Sequence, residues 1–349
     1  MGGKSLVEWL KDCPKDKFPG QGATDYYLRY SAIAEYLNNN VHPHVNALAM
    51  VHDGGYLTDH GPDHIKTVIR RATGLVASDA FTLTPYEVYL FLVAAHLHDV
   101  GNCFGRKGHE LKTEVIEERL GTLLGDDKVE QAAIRAIASA HGGSADVEGK
   151  DKDTIRRLPE TEALLGEEIH PRMLAALLRF SDELADDRSR AARFALLSSQ
   201  LPTTSEVYHK YAYALQSVLV RVPGDAVALH FEMTKEDACR TFGKGEAKVY
   251  LLDEIFERTL KMHQERMYCM RFLRPGVSID KIGVTIKLYG PGYSGDPDVI
   301  QYRIEESGYP ESSGQTIHLI CPELQNDSRY GGEINGKSVH EHLSGGSPS

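Results

Sequence analysis

The sequence is short of cysteine, of net positive charge and of long apolar runs, and each shortage removes a class of protein. Its five cysteines, Cys13, Cys103, Cys239, Cys269 and Cys321, form no CxxC pair and follow no regular spacing. That excludes a zinc ribbon and a disulfide framework, and it reads as reduced thiols. The longest apolar stretches, such as FLVAAHLH at 91–98, are too short to cross a bilayer. The first residues, MGGKSLVEWL, lack the apolar core of a secretory signal, and Leu6 stands where myristoylation after Gly2 requires Ser or Thr. A cytoplasmic chain with no membrane anchor is therefore expected. With a formal net charge of −11, the average surface field repels polyanions, so long nucleic acid is a poor partner. Small phosphates stay open, because a bound cation is able to supply the missing positive charge.

What is present is ordinary globular composition, 41% hydrophobic and 26% charged, enough apolar surface to offset the entropy of ordering the chain. At 349 residues the chain is long enough for two domains, or for one helical domain with a substantial extension. From Gly61 to about Leu201 the apolar spacing is helical. Gly61-Pro62 places proline in a first helical turn, and Thr84-Pro85-Tyr86-Glu87 has the form of a capping box. Val68, Ala72 and Leu75 after His64, and Val88, Phe91, Leu92 and Ala95 in the next helix, each mark a buried face. Further helices are predicted over 109–124, 128–141 and 171–186, with the polar run GGSADVEGKDKD as a loop.

After about Pro202 the period changes. Residues 217–222 and 226–231 read as strands joined by the turn Pro223-Gly224-Asp225. A long helix is predicted over Glu246–Arg271, then strands near Lys281–Leu288, Val299–Glu305 and Thr316–Cys321. Gly243-Lys244-Gly245 lacks the full phosphate-loop pattern and reads as a turn before the long helix. The expectation is a mainly α protein: an N-terminal helical segment over 1–54, a helical bundle over 55–201, an α+β extension over 202–325, and a mobile polar tail over 326–349.

Within the bundle, chemistry-bearing residues recur in chain order: His64 on the first turn of a helix, His98-Asp99 at the end of an apolar helix, His141 closing another, and Asp182 in LLRFSDELADD. Imidazole nitrogen with carboxylate oxygen suits Mn, Fe, Co, Ni, Zn or Mg, and several helix ends facing one interior leave coordination positions for water and substrate. HIKTV at 64–68, AAHLHDVGN at 94–102 and LLRFSDELAD at 177–186 resemble the His, His-Asp and Asp motifs of the HD superfamily of metal-dependent phosphohydrolases, over about residues 55–200.

The resemblance implies a helical fold, a divalent metal held by His64, His98, Asp99 and Asp182, and hydrolysis of a phosphoester or phosphoanhydride in a small nucleotide or cyclic nucleotide by metal-activated water. His109 and His141 resemble the extra ligands of relatives that hold a second ion, with Asp99 bridging the pair. The chain departs from many relatives in having His141-Gly142 where they have a double histidine. It also has Asn102 where several nucleotide monophosphatases have an acidic residue, which points away from that subclass. The layout after residue 201 is similar to HD proteins with a C-terminal extension that are associated with antiviral defence.

Basic residues must meet the remaining phosphate charge. Arg106 and Lys107 follow the His-Asp helix directly, Arg179 and Lys66 come next, and arginine is better suited to bidentate contact. Asp63 or Glu183 is a candidate for positioning water. His60, one turn before His64, is open to lining the same cleft but reads first as a residue that caps or packs at a helix start, and His96 as a packing residue on another face from His98. Two other functions fit the same motifs: a nucleotide sensor that signals to a partner protein without turnover, and a single-strand nuclease, which would need a basic groove that an acidic chain does not suggest. A homo-oligomer contact through the extension is also open.

Overall fold

In the computed structural model, residues 3–53, 56–77, 82–142, 152–221, 226–305 and 316–345 are described. The chain divides into two compact units, one formed by Met1–Ala185 with Tyr268–Ser278, the other by Asp186–Met267 with Ile279–Ser349. The described part is mainly helical, with a small mixed sheet in the second unit.

The first unit begins with α1 (Leu6–Asp12), α2 (Tyr26–Asn40), α3 (His42–Asp53), α4 (Pro62–Leu75), α5 (Pro85–Leu97), α6 (Glu114–Leu120) and α7 (Lys128–Ser139). A small hairpin of β1 (Glu162–Leu164) and β2 (Glu167–Ile169) follows, then α8 (Pro171–Glu183). Helix α5 is apolar on every side, and all of Tyr86–Leu97 is buried. A helix with no polar face belongs in the centre of a bundle, and α5 packs against α1, α2, α4, α7 and α8. Its start is fixed by the expected box: Thr84 Oγ1 accepts from Glu87 N while the Glu87 carboxylate accepts from Thr84 N. Helix α4 opens at Gly61-Pro62 and lies against α8. These two helices and the end of α5 bring His64, His98, Asp99 and Asp182 to one place.

One buried charge in this core has its own partners. The Glu130 carboxylate on α7 accepts from the Tyr86 hydroxyl at 2.6 Å and from Arg29 Nη1 at 2.9 Å. Burial pushes its acidity down, raising its pKa, and these donors pull against that.

The second unit holds α9 (Arg193–Leu197), α10 (Glu206–Ala214), β3 (Leu215–Arg221), β4 (Ala226–Thr234), α11 (Lys235–Cys239), β5 (Thr241–Lys244), β6 (Ala247–Tyr250) and α12 (Leu251–Leu273), whose last turns belong to the first unit. Then come β7 (Lys281–Tyr289), β8 (Asp298–Glu305), α13 (Ile317–Ile320) and α14 (Gly336–Leu343). The sheet order is β3-β4-β7-β8, with β4 and β7 parallel and the outer pairs antiparallel. Strands β4 and β7 alternate strictly, burying Val227, Leu229, Phe231 and Met233 beside Ile282, Val284, Ile286 and Leu288. From α12, Phe256 packs edge-on against Tyr302 of β8, and Thr259 Oγ1 shares a 2.8 Å hydrogen bond with the Tyr302 hydroxyl.

Several expectations need correction. The single helix predicted over 109–124 is broken into a short turn at His109–Leu111, α6, and another turn at Gly121–Leu124, because the backbone leaves helical geometry at Lys112 (φ −102°, ψ 17°) and Gly121 takes positive φ. The strand predicted near Thr316–Cys321 is the helix α13, since a short apolar run with no flanking alternation fits either period. Gly243-Lys244-Gly245 is the bend of the β5–β6 hairpin. Gly245 has φ +60°, and the long helix starts at Leu251, after that hairpin. The tail expected to be mobile carries α14, capped by Asn335 in a reciprocal box with Ser338 and anchored by buried Val339. The turn Pro223-Gly224-Asp225 and most of the loop after Gly142 lie outside the described residues, as does the last part of the tail.

Candidate metal centre

Asp99 stands at the middle of the site, directly after α5, and it is 5% exposed. Its two carboxylate oxygens face two different sets of histidines. Oδ2 lies 3.2 Å from His98 Nε2 and 3.5 Å from His64 Nε2, while Oδ1 lies 3.2 Å from His109 Nε2 and 3.8 Å from His141 Nε2. Asp182, from the last turn of α8, closes the first set with Oδ1 3.1 Å from His64 Nε2 and 3.7 Å from His98 Nε2. Two overlapping groups able to hold a cation result, His64/His98/Asp99/Asp182 and Asp99/His109/His141, and they share Asp99.

The local chain selects which ring nitrogen each histidine presents. His98 Nδ1 is 2.8 Å from the Ala95 carbonyl, His109 Nδ1 is 3.0 Å from that of Arg106, and His141 Nδ1 is 2.5 Å from that of Ala138. In every case the carbonyl lies three residues back in the chain. A carbonyl oxygen only accepts, so Nδ1 carries a proton and Nε2, on the side of Asp99, is the nitrogen left to meet a cation. His109 Nδ1 also lies 3.2 Å from the buried carboxylate of Glu110. Gly101 is what lets this segment close: a Cβ there would stand 1.9 Å from the His109 carbonyl oxygen. At Gly142, a Cβ would come within 3.2 Å of Glu110 Cβ and Cγ, so Glu110 occupies that space.

Electrostatics follow from crowding charged and basic groups out of water. Burial alone would lower the His98 pKa, but Asp99 and Asp182 reverse this and hold it well above the ordinary histidine value. Burial would raise Asp99, yet His98, His60, His109 and His64 hold it well below the carboxylate range, and His64 with His98 does the same for Asp182. His141 is pushed down to about 3, first by burial and then by His98, so it is neutral.

The donor set fits a divalent cation. The Nε2 atoms of His64 and His98 are buried and make no hydrogen bond, although carboxylate oxygens converge on them. An unpaired buried polar atom costs free energy unless something else completes it, and a cation among these atoms does so. Nitrogen and oxygen donors without a thiolate suit borderline and hard divalent ions, and Cys103, though buried, belongs to neither group.

Other residues singled out from the sequence fall into distinct places. Arg106 is exposed, and its Nη1 is 3.2 Å from His60 Nε2. Lys107 is exposed, with no side-chain hydrogen bond or ion pair among the described residues. Arg179, expected to meet substrate, is buried. Its Nη1 donates to the Lys152 carbonyl at 2.8 Å and to Thr154 Oγ1 at 3.2 Å, and its guanidinium lies 4.8 Å from the Tyr268 ring centre. Thr154 Oγ1 in turn bonds the carbonyls of Ala140 and Gly142, so Arg179 braces the segment around His141. Lys66 and Asp63 form an exposed pair with each other at 2.9 Å, and Glu183 is half-buried.

His96 is a packing residue as expected, bonded to His42 at 3.3 Å and to the Tyr30 hydroxyl at 3.4 Å. Asn102 Nδ2 donates to Asp99 Oδ1 at 3.0 Å, which gives it an orienting task. His60 does not cap α4, whose N-cap is Gly61 with no side-chain bond. Its spacing of four residues from His64 marked His60 as a residue of the same cleft or of the helix start, and it is buried there beside Arg106. Glu110 went unmarked, since nothing beyond adjacency to His109 points to it.

The model of the HD-CE family, an HD-type domain, matches residues 54–261, more than half of the chain. The chain belongs to the HD-CE family. Both candidate donor groups lie inside the matched span, and so do Arg106 and His60. No curated protein and no solved structure matches the chain. Among the described residues no helix is long and apolar enough to cross a membrane.

Proposed function

We propose that this HD-CE protein is a metal-dependent phosphohydrolase that cleaves a phosphoester or phosphoanhydride bond in a small nucleotide, linear or cyclic, at a centre built for two ions. The observation that carries the reading is the single carboxylate of Asp99, with one oxygen toward each of two histidine sets. A divalent cation bound there supplies Lewis acidity toward a phosphoryl oxygen and lowers the pKa of water.

The chain's own residues do the rest. His64, His98 and Asp182 hold one side, and His109 and His141 hold the other. Asp99 is shared, and its orientation is fixed by Asn102. Arg106 meets phosphoryl oxygens with a planar fork of N–H donors, and Lys107 adds an exposed point charge beside it. The acidic surface keeps long polyanions away, which favours a small phosphorylated substrate.

The test is metal analysis followed by turnover. Protein loaded with Mn, Mg, Ni, Co or Zn is assayed against nucleoside phosphates, cyclic nucleotides and a generic phosphodiester. The reading requires turnover that depends on added metal and disappears in Asp99→Ala. Bound metal without turnover on every substrate would replace it with a ligand-sensing centre.

A further inference from the structure

His60 uses the same device as the three pinned histidines of the centre, yet it belongs to neither donor group. It is 5% exposed, and its Nδ1 is 2.5 Å from the Thr58 carbonyl, so the Nε2 lone pair is the one presented. That Nε2 sits 3.2 Å from Arg106 Nη1 and 4.0 Å from Asp99 Oδ2. Arg106 Nη1 therefore lies no farther from the Asp99 carboxylate than those two spans laid end to end.

The loop that carries His60 is itself braced. His60 N donates to Asn46 Oδ1 at 3.0 Å, Asn46 Nδ2 donates to Asp59 Oδ1 at 3.0 Å, and Gly61 N donates to the same oxygen at 2.9 Å. Asn46 belongs to α3, so a helix outside the centre sets the position of this ring.

We propose that His60 is a positioning residue: its Nε2 accepts from Arg106 and helps hold this exposed guanidinium near the buried carboxylate, so that a substrate phosphate meets an arginine already in place. With Nδ1 turned to the Thr58 carbonyl, Nε2 takes one N–H of a group that carries five in a rigid fork, without the charge of a carboxylate competing for the arginine. Fixing Arg106 before substrate arrives removes part of the ordering cost from the binding step. The 4.0 Å separation from Asp99 Oδ2 is longer than those of His98 and His64, consistent with a group that serves the rim and leaves the cation to others. The phosphate-directed part of this inference rests on the phosphohydrolase reading, whereas the anchor itself does not.

Two measurements on the full chain separate them. The first is the rate at which phenylglyoxal modifies Arg106, followed by peptide mass mapping in wild type, His60→Ala and His60→Gln. Loss of the anchor is expected to speed modification several-fold in His60→Ala. His60→Gln is expected to restore most of the protection, since its amide oxygen is able to accept at the Nε2 position. The second is calorimetric titration of Mn-loaded protein with inorganic phosphate. His60→Ala and Arg106→Ala are each expected to weaken phosphate by about tenfold, with the double variant no weaker than Arg106→Ala alone, as residues acting through one another require. Metal content is expected to match wild type in His60→Ala, with circular dichroism as the control that the variant is folded.

Unchanged Arg106 reactivity in His60→Ala overturns the anchor, and so does metal loss in that variant, which would make His60 a ligand. Additive effects on phosphate overturn the positioning role in favour of an independent contact. A wild-type holoprotein with the anchor intact but no affinity for phosphate overturns the phosphate-directed part and counts against the phosphohydrolase reading itself.

Discussion

Replacing Asp99 by asparagine keeps the size of the side chain and removes its charge. It also exchanges one oxygen for an amide nitrogen that cannot ligate. Whichever way the amide turns, one of the two histidine sets, 3.2 Å away on either side, loses its donor. Removing a residue that merely orients a ligand lowers metal affinity about 10–100-fold. Asp99 is itself in both donor groups, so Asp99→Asn is expected to lie beyond the upper end of that range, a loss of about 2.7 kcal/mol or more. The assay is competition for Mn with a chromophoric chelator, with elemental analysis for stoichiometry and circular dichroism in excess chelator as the control for folding. Turnover of the best substrate should fall with occupancy. A folded Asp99→Asn protein that keeps wild-type metal content, with affinity within about twofold of wild type, would refute the shared-carboxylate argument, because a loss of only 0.4 kcal/mol or so is too small for a ligand.

Arg179→Ala removes the brace on Lys152 and Thr154 and is expected to cost about 2 kcal/mol in urea unfolding. Because that brace borders His141, the same variant should bind fewer ions while its KM changes little. Gly101→Ala drives a Cβ to 1.9 Å from the His109 carbonyl, so it is expected to destabilise the fold by about 1–3 kcal/mol and to deplete the ion held through His109.

The pH dependence has a definite sign. Burial above all pushes His42 down to about 4 and His96 to about 3, below the ordinary value of 6.5, so the unfolded chain takes up protons that the folded chain refuses. Their contribution is complete above pH 6.5 and is lost as pH falls toward 4 for His42 and toward 3 for His96, at up to about 1.4 kcal/mol per pH unit for each ring. Urea unfolding of His42→Gln in chelator should show a shallower loss between pH 6.5 and 5, and an unchanged slope would sink the assignment.

The bundle and its six candidate ligands were legible because their signals are local. Proline at a first turn, a capping box and an apolar stripe each act over one or two turns of helix, and His98-Asp99 and Asp182 sit where such helices end. Elements whose identity depends on distant partners were harder to read. The hairpin around Gly245 is held by β5–β6 pairing, and α13 is a four-residue run too short to declare a period. The helix α14 follows a glycine-rich stretch whose composition suggested mobility, and it is ordered by a cap and one buried valine. Arg179 shows the same limit at the site, since a basic residue near a ligand in sequence gives no sign that its guanidinium is turned toward Tyr268 and Thr154. Glu110 gave no local signal, and the sequence placed His60 near the cleft without showing its contact with Arg106, because both contacts are defined by atoms from other segments.

Three of the histidines facing Asp99 lean on carbonyls three residues behind them, two of these at the last turns of α5 and α7. A helix leaves its final carbonyls without an internal partner, and here the ring N–H groups supply one. Helix termination and ligand aim are thus a single event in this protein. A cation held among these rings would report whether those two helix ends are wound, and it would be lost to a chelator before the core melts.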